Sequence, residues 1–324
     1  MKLVIQIPCY NEEQTLPLTL SEIPRQIPGF DVVEILVIDD GSTDQTSRVA
    51  RDAGAHHIIR HVRNQGLAKA FRTGLDACLR LGADVIVNTD ADNQYAGSAI
   101  PDLVRPILEG VADIVVGDRR TDQVTHFSRS RKRLQKLGSF VVRKISGLEV
   151  PDAVSGFRAM SRAAALQLNI VSSFSYTIEM LIQAGKKRIA VAWVPVPVNP
   201  QMRESRLFRS VPHFLLQSLA TMVRTYTMYK PLRVFTFLGG TLVLIGALPV
   251  ARFFFFYVQG QGGGHVQSLV LGGVLLIFGF VSLLVGVVAD LIAFNRALIE
   301  LLLEKVRRLE EDQAVGGRFS DRKG

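Results

Sequence analysis

The sequence predicts an α/β chain, a mostly parallel sheet with helices on both faces, followed by two transmembrane helices. Three observations lead there. Four continuous apolar runs, "LVIQIP", "VVEILVID", "ADVIVNTD" and "ADIVVGD", end in polar residues, as parallel strands buried on both faces do. Helical stretches separate them, and alternating β and α units build a parallel sheet. The apolar surplus then collects near the C-terminal end, in two stretches that are each long enough to cross a bilayer.

Taken in order, "MKLVIQIPCYNEE" has too short an apolar stretch for a secretory signal and reads as the first strand. The second strand, "VVEILVID", runs into "DGSTDQTS", where Asp44 or Ser42 suits the cap of the next helix. Leu67 to Leu81, "LAKAFRTGLDACLRL", reads as a helix, and the strands "ADVIVNTD" and "ADIVVGD" follow. In such a sheet ligands bind beyond the carboxyl ends of the strands. The tails "PCYNEE", "DDGSTD", "TDADNQ" and "GDRR" therefore gather at one edge. No G-x-G-x-x-G or Walker pattern is present, which disfavours dinucleotide and P-loop chemistry.

Further on, "SRLFRSVPHFLLQSLATMVRTYTMYKP" sets Phe214, Leu215, Leu219, Met222 and Val223 at helical spacing beside Arg224 and Lys230. Such a helix lies in a membrane interface or packs as a connector on the domain before it. Leu232 to Val258 and Leu269 to Ala293 follow. Each spans a hydrocarbon core about 30 Å thick at about 1.5 Å per residue. Their link, "QGQGGGHVQS", lacks Lys and Arg, whereas Arg203, Arg206, Arg209, Arg224 and Lys230 precede the first span and Arg296, Lys305, Arg307 and Arg308 follow the second. The positive-inside rule puts the region before the first span and both termini in the cytoplasm. The expected organisation is a globular domain over 1–208, a juxtamembrane amphipathic helix over 209–230, a two-helix hairpin over 231–295 and a helical tail over 296–324. That tail, "FNRALIELLLEKVRRLEEDQ", pairs subunits or lies against its own domain.

Composition narrows the class. The 324 residues hold 38 Lys and Arg against 29 Asp and Glu, a net charge of +9, yet 48% are hydrophobic. This mix argues against a nucleic-acid partner and suits an anionic membrane face. Cys9 and Cys78 have neither metal-ligand nor disulfide-framework spacing, so a reducing compartment fits.

The chemistry sits in the strand tails. Asp90 and Asp92 stand two apart at a strand exit, which in extended geometry puts both carboxylates on one side. Paired hard oxygens, with Gln94 two residues on, suit Mg²⁺ or Mn²⁺ carrying a diphosphate. Asp39 and Asp40 offer a carboxylate to a base N–H or to ribose hydroxyls. Pro8, Tyr10 and Glu12 stand beside the same edge, where turn and cap roles compete with binding. The second half of the domain is rich in arginine: Arg119, Arg129, Arg131, Arg133, Arg143, Arg158, Arg203 and Arg206. Guanidinium forks match phosphate oxygens, and a solvated basic face or attraction to anionic lipid accounts for several of them.

The motifs "IPCYNEEQTL", "LVIDDGSTDQT", "RNQGLAKAFRTG", "NTDADNQY" and "DAVSGFRAMSR" together resemble family 2 glycosyltransferases of the GT-A fold, a Rossmann-like, mostly parallel sheet. The likeness is nearest to the branch of dolichyl-phosphate mannose synthases and bacterial polyprenyl-phosphate glycosyltransferases. It implies inverting transfer of a sugar from a nucleotide sugar, UDP-glucose-like or GDP-mannose, to undecaprenyl or dolichyl phosphate at the cytoplasmic membrane face. It implies that Asp90, Asp92 and Gln94 hold the metal and that Pro8, Tyr10, Glu12, Asp39, Asp40, Lys69 and Asp90 line the nucleotide pocket. Arg119, Arg133, Ser139, Arg203 and Arg206 match phosphate-binding positions of relatives. Asp92, Asp152 and Arg206 would be the catalytic set, with Asp152 as a base or as a group that orients an arginine. Relatives also imply a homo-oligomer, a tetramer among its forms. At Tyr95-Ala96-Gly97 the chain departs from a His-Pro-Pro-like stretch of many relatives.

Two alternatives remain at this stage. A processive polysaccharide synthase would carry Q-x-x-R-W, whereas the single tryptophan here is Trp193 in "VAWVPVPV". A catalytically silent membrane adaptor of the same fold would not need the acidic pair and the arginines.

Overall fold

The computed structural model describes residues 1–120, 129–171, 176–200, 220, 223–224 and 226–320, without the side chains of 129–137 and 310–320. It divides into two compact units, Met1–Met222 with Leu303–Gly324, and Val223–Leu302.

Seven strands form the first unit's sheet: β1 (Lys2–Cys9), β2 (Val32–Asp39), β3 (His57–Arg60), β4 (Val85–Asn88), β5 (Ile114–Asp118), β6 (Arg158–Ser161) and β7 (Val191–Pro195). Their order is β3-β2-β1-β4-β6-β5-β7. Every pairing is parallel except those of β6, which runs antiparallel to β4 and β5. That one reversal matters for the site. Because β6 runs backwards, its leading residues, Asp152 to Phe157, arrive at the same edge where β1, β2, β4 and β5 end.

Side chains alternate across the sheet with the two-residue period of a strand. Leu3, Ile5, Ile7, Ile35, Val37, Val85 and Val87 pack into one core cluster, and Val4, Leu36, Ile38 and Ile86 into the other. All are fully buried, and burying each stabilises the fold by about 1.5–3 kcal/mol. The helices on this sheet are α1 (Leu16–Glu22), α2 (Thr46–Asp52), α3 (Leu67–Arg80), α4 (Ile100–Leu108), α5 (Arg129–Ser146), α6 (Arg162–Gln167) and α7 (Tyr176–Lys187). At the β6–α6 junction the Ser161 hydroxyl accepts from Ala164 N–H at 3.1 Å, a side-chain cap that ends the strand and starts the helix.

In the second unit α8 (Pro231–Val258) begins with a proline at its first turn, where the missing N–H costs nothing. A short 3-10 turn, Gly262–His265, leads into α9 (Val266–Ser320). Both helices are long and apolar enough to cross a membrane. They expose their large side chains: Phe237 is 79% exposed, Leu244 71% and Leu284 67%. A soluble core helix would hide these groups.

The expected tail is the same helix, since α9 continues unbroken past the apolar stretch. From Leu303 on it belongs to the first unit. There Arg307 donates to the carbonyls of Leu166 (3.3 Å) and Leu168 (3.0 Å) and pairs with Asp76 of α3 at 3.2 Å. Of the two expectations for the tail, contact with its own domain is the one that the geometry displays. Of the expected juxtamembrane helix, residues 209–219 lie outside the described residues.

Candidate active site

Five loops converge at the carboxyl edge of β1, β2, β4 and β5. The first two are zipped together. Asn11 N–H donates to Ser42 Oγ (2.9 Å), Glu12 N–H to Thr46 Oγ1 (2.8 Å), Glu13 N–H to Asp44 Oδ2 (3.2 Å), and Thr43 N–H returns to Asn11 Oδ1 (2.8 Å). Asn11 adopts a left-handed φ of 54°, a conformation that its short polar side chain tolerates. Asp44 Oδ1 also accepts Thr46 N–H at 3.0 Å, but the residue at the cap of α2 is Gln45, without a side-chain cap bond, so the expected cap is a turn bond one residue earlier. Tyr10 projects outward from this zipper, 37% exposed, whereas Glu12 is buried and accepts from the Thr15 hydroxyl at 2.7 Å.

Asp39 and Asp40 are both buried. Asp39 accepts Ser42 N–H at 2.8 Å and the Ser47 hydroxyl, with Arg60 at 3.6 Å. Asp40 accepts Gln65 N–H (2.9 Å), Gly66 N–H (2.8 Å) and His61 Nδ1 (2.7 Å), and the far side of that imidazole meets Thr73 Oγ1 at 3.0 Å. Asp39 thus holds the β2–α2 loop, and Asp40 holds the loop that enters α3, the helix bearing Lys69 in its first turn. Gly66, at a φ of 91°, makes that entry where a side chain would be strained.

The stretch after β4 is a turn and not the extended segment that the spacing suggests, because Asn93 takes a φ of 55°. The alternation survives nonetheless. Asp90, Asp92 and Gln94 are half-buried, and Ala91, Asn93 and Tyr95 between them are buried. Asp92 Oδ1 accepts Gln94 N–H at 3.2 Å, fixing the turn.

Asp90 is set by the loop from β6. A Cβ on Gly156 would lie 2.8 Å from both Asp90 carboxylate oxygens, so only glycine lets the two segments meet. Gly156 is itself tethered: its N–H donates to Tyr95 Oη at 2.9 Å, and its carbonyl accepts from Asn88 Nδ2 (2.8 Å) and the Tyr176 hydroxyl (3.2 Å). Tyr95 stacks on Phe157, ring centroids 5.1 Å apart, and burial pushes its phenol pKa up to about 12. The departure from the relatives' stretch thus places a buried, neutral donor–acceptor beside the acidic pair.

Arg119, just past β5, makes a two-bond fork with Asp152: Nε to Oδ2 at 2.6 Å and Nη2 to Oδ1 at 3.0 Å, both side chains buried. The guanidinium also lies over Tyr95, 5.9 Å from the ring centre. Burial alone would lower the Arg119 pKa, but the Asp152 charge outweighs it and raises it. Asp152 has both carboxylate oxygens engaged by the guanidinium. Ser139 of α5 is buried and accepts Ala153 N–H at 3.2 Å, steadying the same loop.

Arg158 corrects its place in the basic face inferred from the sequence. It is fully buried, donating to the carbonyls of Ser155 (2.9 Å), Thr177 (2.8 Å) and Ala153 (2.8 Å), with Met180 Sδ at 3.3 Å. Burial without a paired carboxylate drops its pKa to about 10. Its position at the start of a strand, flanked by Phe157 and Ala159, was the available signal. Arg203 and Arg206 and the side chain of Arg133 lie outside the described residues.

Among the described residues no three His, Cys, Asp or Glu side chains cluster as a metal cage. The donor chemistry fits a different kind of site: two half-buried carboxylates, Asp90 and Asp92, with Gln94 two residues on. Magnesium-like ions are held in this way, by one or two carboxylates with water and substrate phosphate oxygens completing the shell.

Residues 4–168 match the sequence profile of glycosyl transferase family 2. The chain belongs to this family. It is 32% identical over 213 residues to an undecaprenyl-phosphate mannosyltransferase of Micrococcus luteus, covering 63% of this chain and 85% of that protein. It is 28% identical over 316 residues to glycosyltransferase AglJ of Haloferax volcanii, covering 95% and 97%. Among solved structures, glucosyl-3-phosphoglycerate synthase from Mycobacterium tuberculosis, crystallised with Mn²⁺, UDP and glucosyl-3-phosphoglycerate, superposes with a TM-score of 0.56 at 25% identity, covering 69% of this chain and 79% of that one. The first unit is a GT-A-like mixed sheet, and this glycosyltransferase carries two candidate membrane-spanning helices after it.

Proposed function

We propose that this glycosyltransferase moves a hexose from a nucleoside-diphosphate sugar to a polyprenyl phosphate, undecaprenyl or dolichyl, with inversion, at the cytoplasmic membrane face. The Arg119–Asp152 fork carries the reading. A sugar hydroxyl acceptor needs a positioned base, and the carboxylate best placed by sequence to be one is neutralised by a guanidinium. A phosphate monoester, with a second pKa of about 6, needs no base. Its oxygen attacks the anomeric carbon while the bond from that carbon to the diphosphate oxygen breaks, and the electron pair leaves with the nucleoside diphosphate. No proton changes hands. Asp152 thus orients Arg119, whose remaining Nη1 donor suits the acceptor phosphate. Arg133, Arg203 and Arg206 would join it there, and Ser139 acts through the 152–156 loop.

On the donor side, Pro8, Tyr10, Glu12 and Lys69 border the nucleotide pocket. Asp39 and Asp40 contribute through the loops that they hold. Asp90, Asp92 and Gln94 would present oxygens to Mg²⁺ or Mn²⁺, and the presence of Mn²⁺ with UDP in the tuberculosis enzyme supports such a cation and favours a UDP donor. Bound there, the cation would supply Lewis-acid neutralisation of the departing diphosphate. The relative named for undecaprenyl phosphate supports the acceptor class. The arginines and lysines flanking α8 and α9 support a cytoplasmic catalytic unit over 1–208, with the hairpin at 231–295.

Purified protein with polyprenyl phosphate, screened against UDP- and GDP-sugars with and without EDTA, tests this. One donor should yield lipid-linked sugar, and the chelator should abolish it. Undiminished transfer in excess EDTA would overturn the metal role, and lack of transfer from every donor would overturn the reading.

A further inference from the structure

The turn that carries the acidic pair is strapped from outside the pocket, and the strap converges on Glu22 at the end of α1. The Glu22 carboxylate accepts Asn93 Nδ2 at 3.0 Å on Oε1 and Asn199 Nδ2 at 2.9 Å on Oε2. Only the amide nitrogen of each asparagine can donate to a carboxylate, so both orientations are fixed by chemistry. The partners lie 71 and 177 residues away. Four further contacts seat the same turn on α1 and on the segment after β7. Thr19 of α1 donates its hydroxyl to the carbonyl of Ala91, the residue between the two aspartates, at 3.2 Å. A Cβ on Gly97 would come within 2.6 Å of the Glu22 carbonyl oxygen, so the end of the turn rests on the Glu22 backbone. Asn199 N–H donates to Gln94 O at 2.9 Å, and Tyr95 bridges Val198.

We propose that Glu22 is a positioning residue for the donor cation: by holding Asn93 and Asn199 on its two oxygens it fixes the left-handed turn that aims Asp92 and Gln94 into the site. This rests on the cation reading given above. The turn needs such a hold because Asn93 leaves the extended path of β4 for the left-handed region, which its short polar side chain tolerates but does not by itself fix, and its Oδ1 is buried without a hydrogen-bond partner among the described residues. Outer partners of this kind set metal affinity without touching the ion, and losing one weakens binding by about 10- to 100-fold. Glu22 is only half-buried, so its truncation should not empty the core.

The experiment compares Glu22→Ala, Glu22→Gln and Asn199→Ala with the unaltered full-length protein, with Asp92→Ala as reference. Three quantities are read: Mn²⁺ affinity by electron paramagnetic resonance with UDP present, hydrogen exchange of amides 91–95, and thermal midpoint. The expected result is Mn²⁺ binding about tenfold weaker in Glu22→Ala, faster exchange across 91–95, and a nearly unchanged midpoint. Glu22→Gln should fall between, because a neutral amide oxygen keeps one of the two bonds, and Asn199→Ala should reproduce part of the loss. Unchanged Mn²⁺ affinity and exchange in Glu22→Ala, with Asp92→Ala losing Mn²⁺, overturns this inference and leaves the cation reading standing. Full Mn²⁺ binding in Asp92→Ala removes the cation reading itself. If Glu22→Ala does not fold, Glu22→Gln and Asn199→Ala decide: either one binding Mn²⁺ more weakly at an unchanged midpoint supports the inference, and neither doing so overturns it.

Discussion

In the first unit Gly156 lies against the Asp90 carboxylate; in the second, Gly239 and Gly279 lie against each other's backbone, where a Cβ on either would come within 2.8 or 3.0 Å of the opposite carbonyl oxygen. Gly246 and Gly272 repeat the arrangement one step along the hairpin. The same residue thus solves two problems. At the sheet edge it admits a charged group in a place already crowded by Tyr95, Asn88 and Tyr176. In the hairpin it admits another helix, because lipid offers no hydrophobic drive between helices and close packing must supply the attraction. The surroundings differ accordingly. Strand residues such as Ile5 and Ile35 are sealed by protein, and residues of the candidate membrane helices such as Phe237 and Leu244 are left exposed.

Breaking the site should cost function far more than stability. Asp92→Ala should lower transfer by about a thousandfold, roughly 4 kcal/mol of transition-state stabilisation, with the circular dichroism spectrum unchanged; initial rates at saturating donor check this. Asp152→Ala should do both kinds of damage. It leaves the Arg119 charge buried and unpaired, a cost of about 3–5 kcal/mol, read as a lower midpoint in denaturant. Gly156→Ala sharpens the comparison: its Cβ displaces Asp90, so transfer should drop and Mn²⁺ demand rise, against a stability cost of about 1–3 kcal/mol. Gly239→Leu, the counterpart in the hairpin, should leave donor hydrolysis and UDP binding intact while splaying the helices, seen as lost crosslinking between cysteines placed on α8 and α9. The smallest effect belongs to Arg48→Ala, which removes an exposed pair with Asp52 and should shift stability by less than about 0.5 kcal/mol.

The same contrast explains what the sequence discloses. Strands β1, β2, β4 and β5 are legible because each is an apolar run with a polar tail, and α8 because it is apolar on every side. β3, β6 and β7 do not show an apolar run with a polar tail: β3 starts on a histidine and ends on an arginine, β6 opens with an arginine and turns at once into a helix, and β7 ends on a proline. The acidic pair is legible from its spacing. The turn that carries it is not, since the conformation of Asn93 depends on Glu22 and Asn199, which are remote in the chain. Arg158 reads as part of a basic patch because sequence displays charge and hides burial, and only the fold reveals three carbonyls around it. Asp152 shows the reverse. Its motif leaves open a base or a group that orients an arginine, and the partner that supports the second reading, Arg119, stands 33 residues earlier.

The central claim is that the acceptor arrives already charged. Matched assays with polyprenyl phosphate and with the corresponding polyprenol, at equal lipid concentration and with Mn²⁺ and the preferred donor, test it most directly. The account predicts sugar transfer to the phosphate alone, with a rate that rises as the monoester loses its second proton near pH 6. Comparable transfer to the free alcohol would contradict it, because an alcohol requires the base that Asp152, bound to Arg119, cannot supply.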